Sequence, residues 1–173
     1  MDERDDGVRK VAELLGDARF GMFTTTAPDG TLTSRPMALQ EAEFDGDLWF
    51  FAERGSRKLR HIGADPQVNV TVGSGSTWVS LTGGASMVDD AARKRELWNA
   101  GVEAWFPDGP DAPEVVLIRV EAQSAEYWDT PGGRIASVLS FAKAKVTGQR
   151  YSGGENARVE MSPRAATAAT APR

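Results

Sequence analysis

Apolar residues recur along this chain with two different periods, and the switch between them lays out the expected elements. Val8, Val11, Leu14 and Leu15 repeat at helical spacing, so residues 3–16 are expected to form an amphipathic helix that stops near Gly16. Beyond it the pattern turns to strands. FGMFTTT (20–26) and TLTSRPMAL (31–39) are β-rich and flank Ala27-Pro28-Asp29-Gly30, a strong turn sequence, so they read as a hairpin. DLWFFA (47–52) follows a second turn at Asp45-Gly46, and VNVTVG (68–73) and TWVSLTGGASMV (77–88) are separated by Gly and Ser. EVVLIRVEAQSAEYWD (114–129) is the last long strand, with Val116, Ile118 and Val120 alternating against Val115, Leu117 and Arg119.

Helices are expected between some of these runs. Asp65-Pro66 ends a short helix, because the residue before a proline is driven out of the α region. Asp89 or Asp90 would cap a helix over roughly 90–105, after which Pro107, Pro110 and Pro113 mark a stiff loop. Ile135, Val138, Leu139 and Ala142 suggest a helix near 134–146. From Ser152 onward large apolar residues almost vanish, so the chain divides into one domain over 1–151 and a tail over 152–173 that is expected to be disordered. About six strands joined by short turns, with few helices, predict a mainly β protein, an antiparallel barrel. The absence of long alternating strand–helix units argues against a Rossmann fold.

Charge narrows the chemistry. With 25 Asp and Glu against 20 Lys and Arg, net charge −5, the chain lacks the basic footprint of a nucleic-acid binder, so any anion site must be local. It has no cysteine, hence no disulfide framework, thiolate metal site or thiol nucleophile. Its charged start, MDERDDGVRK, is no signal peptide and no apolar run approaches membrane-spanning length, so a cytoplasmic protein with no membrane partner is expected. The single histidine, His61, with scattered carboxylates gives no metal-ligand spacing, and no metal site is expected. A Ser-His-Asp arrangement would have to use His61, which sits among bases with no acidic residue placed to orient it; a solvated helix-surface histidine is the plainer reading. GSGSTW (73–78) lacks the third glycine of a dinucleotide fingerprint and leads into a strand, and no Walker A sequence is present.

One cluster survives this pruning. In GDLWFFAERGSRKLRH (46–61) an apolar strand breaks at Gly55 into Arg54, Arg57, Lys58 and Arg60. Ser56 is a good N-cap residue, and Leu59 with Ile62 supplies the buried face of a short helix. A helix N-terminus carrying a hydroxyl and the Lys58 and Arg57 cations suits a phosphate, although bases that merely solvate an exposed helix would look the same. Upstream, SRPM (34–37) places Arg35 and Pro36 inside a strand, which makes that strand edge-like or bulged; bulges re-aim side chains towards sites, and prolines also protect edges.

Taken in order, SRPM, FDGDLWFFAERGSRKLRHIGADPQVNVTV, WVSLTGGASMVDDAARKRELWNAGVEAWFPDGPDAP and VVLIRVEAQSAEYWD resemble the pyridoxamine 5′-phosphate oxidase-like FMN-binding split-barrel superfamily over roughly residues 8–130. The ELW…AWFP and EYWD segments resemble its general stress protein branch. The resemblance implies a six-stranded antiparallel split β-barrel, a homodimer, and FMN bound at the subunit interface. It implies that Arg35 faces the cofactor with Pro36 and Met37 near the ring, and that Ser56 and Lys58, with Arg57 nearby, hold the phosphate. Phe50 and Phe51 on the preceding strand, and Trp105 in the branch-specific loop, become candidate flavin contacts. Trp98 and Trp128 suit an interface or ordinary core packing about equally, whereas packing is at least as good a reading of Trp78. The chain lacks the C-terminal arginine-rich substrate motif of true pyridoxamine-phosphate oxidases and ends in TAATAPR, so oxidation of pyridoxine phosphate is not expected. A small flavin-dependent oxidoreductase of unread substrate is the implied function. A flavin-binding stress protein without turnover and a reductase using the deazaflavin F420 are the alternatives, the latter needing further cations for a longer tail, with Arg57, Arg60 and Arg54 available.

Overall fold

The computed structural model describes residues 3–16, 18–42, 44–75, 77–129 and 155–161. Helix α1 spans Glu3–Leu15, and the strands are β1 (Phe20–Thr26), β2 (Leu32–Ala38), β3 (Asp47–Glu53), β4 (Gln67–Ser74), β5 (Thr77–Val88), β6 (Val115–Asp129) and β7 (Glu155–Glu160). Helix α2 (Arg57–Ala64) follows β3, and α3 (Ala91–Leu97) and α4 (Ala100–Glu103) lie between β5 and β6. Each of the six expected strands forms within about two residues of its predicted bounds. The helix expected over 90–105 divides into two at Trp98-Asn99, because Asn99 takes extended backbone and its side chain accepts from Gly101 N and Val102 N, starting a new cap. The helix expected near 134–146 lies outside the described residues.

Among the described residues all the ladders are antiparallel, and the strand path runs β2-β1-β4-β5-β6-β3. β2 is an edge strand, as a strand containing Pro36 must be, and its register with β1 is unbroken, so the edge and not a bulge accommodates the proline. β2 and β3 are the two ends of the path. They approach each other where Gln40 N donates to Trp49 O at 3.3 Å, without a ladder between them among the described residues, so the barrel is split along this seam.

Inside lies a core of Phe23, Met37, Phe50, Val70, Leu81 and Ile118 with their neighbours, to which α1 adds Val11 and Leu15 and α2 adds Leu59 and Ile62. Phe23 and Phe50 meet edge to face at 5.2 Å, an arrangement in which one ring's positive edge meets the other's negative face. A second core covers the other face of β3 and β6, where Phe51, Val115 and Leu117 pack against Leu97, Val102, Trp98 and Phe106. Strand alternation thus sends Phe50 and Phe51 into different cores.

A seventh strand corrects the expected division of the chain. Within the supposed tail, Glu155–Glu160 pairs with the second half of β6, on the same edge that β3 occupies along the first half. Val159 and Met161 are buried in the main core, with the Val159 methyls against Gly7 of α1. The segment looks barren by composition, yet its few apolar residues alternate, and β6 supplies a free edge long enough to pair them. The change of partner coincides with a bulge: Thr82 pairs with Ser124 and Gly83 with Ala122, so Gln123 is the extra residue. At Gly83 a β-carbon would lie 2.2 Å from the Glu121 carbonyl oxygen, so only glycine fits there.

Candidate functional site

The basic cluster occupies the corner where α2 meets β1 and β2. β3 ends at Glu53, Ser56 N donates to Glu53 O at 3.0 Å, and Ser56 takes extended backbone as the N-cap of α2. The amides of Leu59 and Arg60 both reach back to Ser56 O, which leaves the Arg57 and Lys58 N–H groups at the open end of the helix. The expected N-cap is in place but works differently from the usual one. The Ser56 hydroxyl makes no cap bond; its Oγ is buried and has no hydrogen-bond partner.

Arg35 enters the same corner from β2. It pairs with Phe23 and therefore shares the barrel's inner face. Its Nη1 donates to Phe23 O at 3.2 Å and to Thr25 Oγ1 at 2.8 Å, which uses both hydrogens of that nitrogen. Its Nη2 is buried and, like Ser56 Oγ, has no partner. Thr25 Oγ1 also lies 3.0 Å from His61 Nδ1, tying β1 to α2. Far from being a solvated surface residue, His61 is 5% exposed, because α2 turns it with Leu59 and Ile62 onto the barrel while Arg57 and Arg60 face outward.

The electrostatics match this crowding. Burial holds the Lys58 ammonium below its ordinary range, and repulsion from Arg35 lowers it further, against a smaller opposing pull from Glu53. Burial followed by repulsion from Arg57 lowers the Arg35 guanidinium as well. Three cations from two elements therefore feel one another around two buried polar atoms without partners. Native structures rarely leave such atoms unsatisfied, and an anion accepting from Nη2, Ser56 Oγ–H and the open helix amides would satisfy them together.

The family model for "Pyridoxamine 5′-phosphate oxidase like" proteins matches residues 6–152. This chain belongs to that family. Protein bli-3 of Neurospora crassa is 31% identical over 157 residues, covering 84% of this chain and 75% of that protein. A solved structure from Jannaschia sp. CCS1, assigned as a general stress protein 26, matches with a TM-score of 0.74 at 26% identity, covering 91% of this chain and 99% of the other. The general stress FMN/FAD binding protein of Xanthomonas citri matches with a TM-score of 0.62 at 26% identity, covering 72% of this chain and 89% of that one. The split-barrel fold and the likeness to general stress proteins expected from the sequence both hold.

Among the family's expected site residues, the structure brings Arg35, Ser56, Arg57 and Lys58 together and disperses the others. Met37 points inward and is buried in the main core, whereas Pro36 lies on the opposite, outer face. The side chains of Phe50 and Phe51 are occupied by the two cores. Trp105 stands 79% exposed beyond α4, while its neighbours Trp98 and Phe106 pack on Phe51. Trp78, for which core packing is at least as good a reading of the sequence as an interface, is 52% exposed: its ring lies over Gly73 on the outer sheet face, directly opposite Trp128 on β6. Sequence reasoning missed Thr25 and misplaced His61. Neither carries a motif, and only the packing of α2 on β1 brings them to Arg35. No helix among the described residues is long and apolar enough to cross a membrane.

Proposed function

We propose that this protein binds FMN, with the phosphate held by Arg35, Ser56, Lys58 and Arg57, and works as a small flavin-dependent oxidoreductase of the general stress protein type. The observation that carries this reading is the pair of buried atoms without partners, Arg35 Nη2 and Ser56 Oγ, within a cluster of mutually repelling cations. The FMN/FAD binding neighbour from Xanthomonas citri supports it independently. When bound, the flavin supplies the electron-transfer chemistry, so the protein's own task is to bind, orient and shield it. Arg35 and Lys58 would donate charge-assisted hydrogen bonds to phosphate oxygens, and the α2 amides would add their own donors.

Two cations that the longer tail of F420 would call upon are engaged elsewhere. Arg54 donates to Pro113 O and Asp89, and Arg60 donates to Gly55 O. This favours FMN. A second copy of the chain is part of the reading, since Phe20, Met22, Leu32, Trp78 and Trp128 are exposed and ladder register puts them on one outer sheet face. A homodimer joined there would cover these side chains.

The test is the absorption spectrum and mass of whatever copurifies, followed by titration with FMN and riboflavin and by anaerobic mixing with nicotinamide donors. Tight binding of FMN, weak binding of riboflavin and donor-dependent bleaching are expected. Equal affinity for the two flavins would remove the phosphate assignment. Bound flavin inert to each donor would leave a binding protein without turnover.

A further inference from the structure

His61, which no flavin need touch, is joined to the anion site through one hydroxyl. The Thr25 side chain is 1% exposed, and its partners are Arg35 Nη1 at 2.8 Å and His61 Nδ1 at 3.0 Å. A threonine hydroxyl has one hydrogen to donate and two lone pairs with which to accept. Arg35 can only donate, so it takes a lone pair. If Nδ1 also carried a hydrogen and donated, the Thr25 hydrogen would be left in a buried position with no acceptor, which folded proteins avoid. The direction is therefore set: Thr25 donates to an unprotonated Nδ1, and the imidazole carries its hydrogen on Nε2.

The consequence falls on Arg35. Phe23 O and Thr25 Oγ1 together hold both Nη1 hydrogens, and that fixes the plane of the guanidinium and the direction of Nη2. With Nδ1 as acceptor, the hydroxyl hydrogen turns away from Arg35 and a lone pair turns towards it. We propose that His61 is a positioning residue of the anion site, acting through the Thr25 hydroxyl to hold the Arg35 guanidinium with Nη2 directed at the bound phosphate. This rests on the reading that the Arg35–Ser56–Lys58 cluster is the phosphate site, and it adds to that site a residue that itself touches no ligand.

Because His61 is the only histidine, one 15N-histidine label reports on it without ambiguity. In the flavin-free protein Nδ1 should resonate as an unprotonated, pyridine-type nitrogen and Nε2 as a pyrrole-type one. Thr25→Val should abolish that bias. The second readout is the ratio of riboflavin to FMN dissociation constants, which isolates the phosphate contribution. Loss of one neutral hydrogen bond should lower the ratio about fivefold in His61→Leu, taking such a bond at its usual strength. His61→Asn, which returns an acceptor near the place of Nδ1, should restore most of it. Thr25→Val should match His61→Leu, and the double variant should lose little more than either. A protonated Nδ1 in the wild type overturns the proposal, as does a His61→Leu variant that weakens both flavins by the same factor, since that is a packing effect. A wild-type protein indifferent to the phosphate refutes the site and this proposal with it. A wild-type preference for FMN that His61→Leu and Thr25→Val leave intact refutes this proposal alone.

Discussion

Replacing Ser56 with alanine should reverse the usual sign of an N-cap substitution. A capping serine ordinarily contributes about 0.5–2 kcal/mol that alanine loses. Here the Ser56 hydroxyl makes no cap bond, and its buried oxygen has no partner, so the flavin-free protein has no hydrogen bond to lose. What alanine removes instead is a desolvated polar atom, whose burial costs about 1–3 kcal/mol. Ser56→Ala should therefore raise the melting temperature of the flavin-free protein by roughly 2–4 °C, the shift expected for about 1 kcal/mol in a chain of this size. The same substitution deletes a phosphate ligand, so FMN should bind about tenfold more weakly while riboflavin is almost unaffected. Differential scanning fluorimetry of the flavin-free protein and fluorescence titration with both flavins measure the two effects. A lower melting temperature would mean that the hydroxyl caps α2 after all. Unchanged FMN affinity would move the phosphate elsewhere.

Lys58→Ala should weaken FMN binding by roughly 10- to 100-fold, for the loss of a charge-assisted hydrogen bond, whereas Arg60→Ala, whose guanidinium is exposed and already bonded to Gly55 O, should barely change it; titrations at fixed salt decide. Lys58 is held below its ordinary range in the free protein, and phosphate would raise it. FMN affinity should therefore be fullest below the free-state value and fall as pH rises through it, by at most about tenfold per pH unit, while riboflavin, which shares the ring, shows no such component. Deleting residues 153–173 removes buried Val159 and Met161 and should lower the melting temperature by roughly 6 °C or more, from about 1.5–3 kcal/mol for each side chain at about 2–4 °C per kcal/mol. Asp89→Asn should destabilise at neutral pH, because Asp89 is the anion paired with buried Lys94 at 2.9 Å. Lys94, followed by Arg54, lowers the Asp89 carboxyl, so its contribution is present above the ordinary carboxylate value and is lost as pH falls through the lowered one. Melting curves of the two proteins should accordingly converge in acid.

Much of the fold follows from local pattern. A strand that buries one face must alternate, a helix that buries one face must repeat near every fourth residue, and Pro36 must lie at an edge; each of these rules operates within a few consecutive residues. The basic residues after β3 were visible for the same reason, since Ser56, Arg57 and Lys58 are neighbours in the chain. What the sequence alone could not supply is whatever depends on distant segments meeting. β7 exists because the second half of β6 has an open edge, and six residues of modest propensity become a strand only when such an edge receives them. Trp78 is exposed and Phe51 buried because sheet register, and not hydrophobicity, chooses which face each side chain takes. The same holds at the site. Arg35, Thr25 and His61 are separated by 10 and 36 residues along the chain yet share one hydroxyl. No local pattern records the packing of α2 against β1 that brings them together, because side-chain hydrogen bonds are made across whatever surfaces the core has already closed.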